Sequence, residues 1–262
     1  MADILQEICQ EKRRHVAGLK AITSQSKLED MAKTASPVRG FEKALAEKAS
    51  HHEAALICEL KKASPSAGQI RDHYDPATLA KDYERGGASC LSILTDGPYF
   101  QGINEDMEAA RAACSLPVLR KDFIIDPWQA YETRAIGGDC LLLIMAALSN
   151  VQAAEIHQAA RSLGLDVLIE THNEEEVERA LALPNGMIGI NNRNLKTLVT
   201  DLETTARLAP LVPKNRMIVC ESGLKTSGDL QRMMDLGVYS FLIGESLVKQ
   251  DDLAQAVRNI IP

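Results

Sequence analysis

From residue 54 onward the chain alternates between two hydrophobic rhythms. Short runs dense in apolar residues recur at 54–60 (AALICEL), 89–95 (SCLSILT), 116–122 (LPVLRKD), 139–146 (DCLLLIMA), 166–170 (DVLIE), 187–191 (MIGIN), 216–222 (RMIVCES) and 239–244 (YSFLIG). Each is too short for a typical helix, and most are rich in Val, Ile and Leu, as strands covered on both faces of a parallel sheet are. Between them lie stretches with helical periodicity, such as PATLAKDYERGG, NEDMEAARAAC, DPWQAYETRAIGG, SNVQAAEIHQAARSLG and TSGDLQRMMDLG. Several open on Asn, Asp, Ser or Thr and close on Gly, the start and stop signals of helices. Eight such units in a chain of barrel length predict an α/β fold, a single (β/α)8 TIM barrel. An open doubly wound sheet would normally carry a Gly-rich turn after its first strand. Here the first strand runs into LKKASPSAG instead.

Residues 1–53 stand outside the repeat. Ile4, Leu5, Ile8, Val16 and Leu19 form a helical stripe after an Asp3 cap, and SPVRGFEKALAEKA reads as a loop and a second helix. The expected organisation is an N-terminal helical extension (1–53) on a barrel (54–262), one structural domain overall. Spacing alone leaves open whether the extension plugs the bottom of the barrel or covers its top.

Composition narrows the function. Of 262 residues, 45% are hydrophobic and 25% charged, the balance of a globular chain with a large core. The net charge of −7 argues against a nucleic-acid partner, which needs a basic surface. An anionic small substrate would need a local cationic cluster. Cys9, Cys58, Cys90, Cys114, Cys140 and Cys220 include no C-x-x-C pair, so reduced thiols in a cytoplasmic protein are expected. The charged N-terminus lacks the apolar core of a signal peptide, and no run is long enough to span a membrane.

In such a barrel the C-terminal strand ends converge on one site. Read in turn they supply Glu59 and Lys61, Lys121 with Phe123, Glu170, Asn191, Arg193 and Glu221. Residues two apart share a strand face, so Glu59 and Lys61 point together, and so do Lys121 and Phe123. Each charge alone reads most simply as a solvated strand end. Three cations (Lys61, Lys121, Arg193) facing three carboxylates (Glu59, Glu170, Glu221) instead suggest a balanced mouth suited to proton transfer. A carboxylate trio can suggest a metal, but the interleaved lysines compete for the same oxygens, so no metal is expected. The histidines His51, His52, His73, His157 and His172 lack metal-ligand spacing, and surface or supporting places are expected for them. Ser222-Gly223 follow the seventh strand and Gly244-Glu245-Ser246 the eighth, where such barrels often bind phosphate. Ser64-Pro65-Ser66 could add a hydroxyl.

These residues, in this order, resemble the indole-3-glycerol-phosphate synthase family of tryptophan biosynthesis. The matching stretches are ICELKKASPS (57–66), LRKDFIIDPWQAYE (119–132), LIETHNEEE (168–176), IGINNRNLKT (188–197), CESGLKT (220–226) and FLIGESLV (241–248). The opening helices DILQEICQEKRRHV and FEKAL also look like that family's. The resemblance implies a carboxy-lyase acting on 1-(o-carboxyphenylamino)-1-deoxyribulose 5-phosphate. It implies that Lys121 is the general acid and Glu170 a general base. Glu59, Lys61, Asn191, Arg193 and Glu221 would be supporting or binding groups, and Ser64, Ser222, Gly223, Gly244 and Glu245 would lie at the phosphate. Some relatives carry Ser where Glu245 stands, so its backbone N–H is assigned rather than its side chain. Like-charge repulsion from Lys61 is expected to lower the pKa of Lys121, and Phe123 to stack on the anthranilate ring. No step needs a cofactor. Two other readings stay open: another sugar-phosphate barrel enzyme such as a phosphoribosyl-anthranilate isomerase, and a non-catalytic sugar-phosphate sensor. The expected partner is a small sugar-phosphate substrate, without nucleic acid or membrane. Docking to other tryptophan-pathway enzymes is left open.

Overall fold

The computed structural model describes residues 4–65, 68–71, 73–195 and 197–262. The Asp3 cap and Ser66 lie outside the described residues. Three helices come first, α1 (Ile4–Ile22), α2 (Gln25–Thr34) and α3 (Phe41–Ser50). Strand β1 (Ala55–Leu60) leads into a short antiparallel ribbon, β2 (Ala63–Ser64) with β3 (Gly68–Gln69). Helix α4 (Pro76–Gly86) and strand β4 (Cys90–Leu94) follow, then α5 (Gly97–Phe100), α6 (Asn104–Ala113), β5 (Val118–Lys121), α7 (Trp128–Ala135) and β6 (Cys140–Ile144). The remainder comprises α8 (Asn150–Ser162), β7 (Asp166–Thr171), α9 (Glu174–Leu181), β8 (Met187–Asn191), α10 (Glu203–Leu208), β9 (Ile218–Glu221), α11 (Ser227–Met234), β10 (Ser240–Ile243), α12 (Glu245–Val248) and α13 (Leu253–Ile260).

The eight long strands are parallel and close on themselves in the order β1-β10-β9-β8-β7-β6-β5-β4, with β1 pairing β4. This is the expected TIM barrel, and each apolar run of the sequence supplies one stave. Side chains alternate across it. Leu56, Cys58, Leu91, Leu141, Val167, Ile188 and Phe241 pack outward under the helices, while Ala55, Ile57, Leu119, Leu168, Met187, Val219 and Leu242 fill the interior. The apolar interior therefore ends where the inward positions turn polar.

The N-terminal helices take both places that the sequence left open. Phe41 and Leu45 of α3 are fully buried in the interior cluster, and the α3 backbone N–H of Glu42 donates to Asp166 at the start of β7 (2.9 Å). That end is plugged. At the other end α1 sends Lys12 to Asp96 and Asp122, just past β4 and β5, at 2.7 Å each. Trp128 joins them, packing with Val16 and Leu28 and donating its indole N–H to Thr23 O. Helix α2, capped by Ser24, was not legible as a separate element because only Leu28 and Ala32 are buried along it.

Candidate active site

A cavity of about 680 Å3 opens at the C-terminal ends of the strands. Its lining includes Glu59, Lys61, Lys121, Phe123, Glu170, Asn191, Arg193, Glu221, Ser222, Gly223, Gly244 and Glu245. The convergence follows from strand parity. On four strands the charged groups are the next inward positions above an apolar one: Ile57 then Glu59 and Lys61, Leu119 then Lys121, Leu168 then Glu170, Val219 then Glu221. Leu142, Ile144 and Leu242 form the apolar floor. Ser64 is the exception among the expected residues. It pairs with Gly68 in the ribbon and does not line the cavity.

The charges pair differently from the simple three-against-three balance. Lys61 Nζ bonds Glu59 Oε1 at 2.8 Å, and Lys121 Nζ bonds Glu170 Oε2 at 3.3 Å. Arg193 reaches away from the trio towards Glu245 (3.9 Å). Among the described residues, Glu221 has no cation of its own. It is 1% exposed, and its Oε1 has no hydrogen-bond partner among those residues. Asn191 completes the cluster, donating to Glu170 Oε1 at 3.2 Å while its own Oδ1 accepts the Arg193 backbone N–H. Glycine makes room for two of these carboxylates. A Cβ on Gly189 would fall 2.2 Å from Glu221 Oε1, and one on Gly244 would fall 2.5 Å from Glu59 Oε1.

The electrostatics separate the groups. Burial favours the neutral amine of Lys121, but Glu170, Glu221 and Glu59 outweigh it and push its pKa above the usual lysine range. The expected lowering by Lys61 fails because Lys61 is already neutralised by Glu59. For Glu170, burial opposes ionisation, yet Lys121, His172 and Asn191 hold it well below the usual carboxylate range. Glu59 is also held down by Lys61 and Lys121 against its burial. Glu221 goes the other way: burial, then the negative charge of Glu170, raises it well above that range. One buried carboxyl thus prefers to keep its proton beside two that do not.

The cavity also has a cationic stretch. Arg193, Lys225 and Lys249 line it around Ser222, Gly223, Gly244 and Ser246. Ser222 and Gly223 both take left-handed backbone (φ 65° and 85°), turning the chain sharply after β9. The Glu245 side chain is not idle, since its Oε1 lies 2.6 Å from Lys249 while Oε2 faces Arg193. In the same lining Phe123 lies near Phe100, with ring centroids 6.3 Å apart, and Leu5 of α1 adds to the apolar wall. Sequence reading missed Leu5, Lys225, Lys249 and the place of His172 against Glu170. For His172 the signal was present, because it follows Glu170 by two positions on the inward face. Among the described residues, no group of three or more His, Cys, Asp and Glu side chains is arranged to hold a metal.

Comparisons with known proteins identify the family. The indole-3-glycerol phosphate synthase family matches residues 5–260. A protein of that name from Rhodospirillum rubrum is 54% identical over 262 residues, and one from Azospirillum brasilense is 52% identical over 261, each spanning all of both chains. Among solved structures, an N-acetylmannosamine-6-phosphate 2-epimerase from Clostridium perfringens superposes with a TM-score of 0.60 over 76% of this chain and 89% of its own. At 14% identity that likeness speaks for the fold alone. Family match, full-length relatives and strand-end residues concur: the chain belongs to the indole-3-glycerol phosphate synthase family.

Proposed function

We propose that the chain converts 1-(o-carboxyphenylamino)-1-deoxyribulose 5-phosphate to indole-3-glycerol phosphate, CO2 and water. The observation that carries this reading is the Lys121–Glu170 pair in one cavity that is also lined by aromatic and cationic residues. In the reaction, an electron-rich ring carbon attacks the ketone of the sugar chain. Lys121 donates a proton to the ketone oxygen as the C–C bond forms. When the substrate carbonyl takes the place of Glu170 beside Nζ, the ammonium loses the partner that most stabilises it and becomes the better acid. Loss of CO2 restores aromaticity; Glu170 then takes a proton from the ring carbon adjacent to the hydroxyl-bearing one, while the Lys61 ammonium gives a proton to the departing hydroxyl, which leaves as water. Glu59 orients Lys61, which remains the second candidate for the acid, and Asn191 fixes Glu170. Glu221 in its neutral form can donate a hydrogen bond without adding charge.

Phe123, Phe100 and Leu5 provide apolar surface for the anthranilate ring. Arg193, Lys225 and Lys249 supply charge for the phosphate, with close backbone approach at Ser222-Gly223 and Gly244-Glu245. Ser64 takes no part in this assignment. Six cysteines without a disulfide, five of them buried, suit the reducing cytoplasm as the place of this reaction. Purified protein incubated with the substrate should generate indole absorbance with one equivalent of CO2. Absence of both, with turnover of phosphoribosyl-anthranilate instead, would move the chain to the isomerase reading.

A further inference from the structure

His172 has no place in the reaction steps above, yet it is built into the site. It stands two positions beyond Glu170 at the end of β7, with a side chain only 10% exposed. Its ring lies between two carboxylates. Nδ1 is hydrogen-bonded to Glu176 Oε2 at 2.9 Å, and Nε2 lies 3.2 Å from Glu170 Oε1, within ion-pair reach but without hydrogen-bond alignment. Glu176 is itself fixed. Its Oε2 also accepts the His172 backbone N–H (2.9 Å), its Oε1 accepts from Asn173 Nδ2 (2.7 Å), and its backbone N–H is capped by Asn173 Oδ1. An ionised carboxylate only accepts, so the Nδ1 bonded to Glu176 carries a proton, and the negative charge of Glu170 beside Nε2 favours a second proton there. Burial favours the neutral ring, but Glu170 and Glu176 prevail and push its pKa up to about 10.

The consequence concerns proton allocation. Glu170 is faced by Lys121 from β5, His172 from its own strand end, Asn191 from β8, and by the carboxyls of Glu221 on β9 and Glu59 on β1. Glu59 has Lys61, whereas Glu170 and Glu221 crowd each other in a buried site, where one of two like charges gives way. Lys121 cannot hold Glu170 ionised throughout, because donating its proton removes its charge. His172 can. We propose that His172 is a positioning residue: clamped between Glu170 and Glu176, it keeps the base Glu170 ionised when Lys121 turns to the substrate and leaves the proton of the carboxylate cluster on Glu221. This rests on the reading of Glu170 as the base.

Two measurements test it separately. Histidine NMR on isotope-labelled protein reports the ring without any activity. The His172 resonances should stay those of an imidazolium through pH 8, and Glu176→Gln should bring their titration down towards ordinary histidine values. A His172 that titrates near pH 6.5 in the unaltered protein would overturn the proposal. Kinetically, His172→Gln should move the acid limb of kcat/KM upward by a pH unit or more, a loss of about tenfold per unit below that limb. The effect should fall on kcat more than on KM. A uniform fall across all pH, with the limb in place, would mean a merely structural role and also overturn it. Glu170→Gln is the control for the underlying reading: if that variant keeps the acid limb, Glu170 is not the base, while the NMR result still decides the state of His172.

Discussion

Lys121 and Glu170 lie 3.3 Å apart and have opposite fates in the proposed reaction, one giving a proton and one taking it. Removing a positioned proton donor should cost about 10²- to 10⁴-fold in kcat. Lys121→Met keeps the stem's packing but strands the buried Glu170, so the thermal midpoint should fall while steady-state kcat of the folded variant drops within that range. If only KM rose, Lys121 would be a clamp and Lys61 the acid. At Gly244 the structure revises a simpler expectation. With a place at the phosphate alone, added bulk would raise KM only, yet the first added carbon would meet Glu59 Oε1 at 2.5 Å and Lys61 Nζ at 3.3 Å. Gly244→Val should therefore lower kcat as well as raise KM. Normal kcat with a raised KM would place the residue at the phosphate alone.

At the scale of elements, much of the site was legible because a strand has period two. Once Ile57, Leu119, Leu168 and Val219 are recognised as inward, Glu59, Lys121, Glu170 and Glu221 must follow them into the mouth. What period two does not encode is which charge meets which. Arg193 faces Glu245 at 3.9 Å, Glu221 has no ion-pair partner among the described residues, and Ser64 pairs with Gly68 in the β2–β3 ribbon. Nor does it reveal contacts between remote segments. Lys12 of α1, 6% exposed, bridges Asp96 and Asp122, and Asp122 Oδ1 accepts the backbone N–H of Phe123 in the aromatic wall. Lys12→Met would strand buried carboxylates, at a cost of about 3–5 kcal/mol in urea unfolding. Burial opposes ionisation of Asp122, but Arg120 and Lys12 hold its pKa below normal. A depressed carboxylate stabilises above its unfolded pKa, and that contribution is lost as pH falls through the folded value. The unaltered protein should thus lose stability in acid more steeply than Lys12→Met does. An unfolding midpoint unmoved by Lys12→Met would show that α1 is held by its apolar stripe alone.

Across the whole molecule, a chain of net charge −7 gathers Arg193, Lys225 and Lys249 in the lining of a single cavity, so an anion is attracted locally against the overall field. The fold class was legible from the eight apolar runs. The cationic stretch was only half legible, because Lys225 and Lys249 sit beyond strand ends, on a loop and after a short helix, where no periodicity marks them. Lysine ammonium groups already occupy the oxygens of Glu59 and Glu170, so turnover should survive dialysis against EDTA. Loss of turnover restored by a divalent ion would contradict that. The central claim is that acid and base serve distinct steps in this one cavity, and a single-turnover rapid-quench experiment on Glu170→Gln tests it most directly. Ring closure and CO2 release should proceed with Lys121 in place, while a cyclised, decarboxylated and still hydroxylated intermediate accumulates before indole appears. Persistence of unreacted substrate, with no such intermediate, would contradict the assignment of Glu170 to the dehydration.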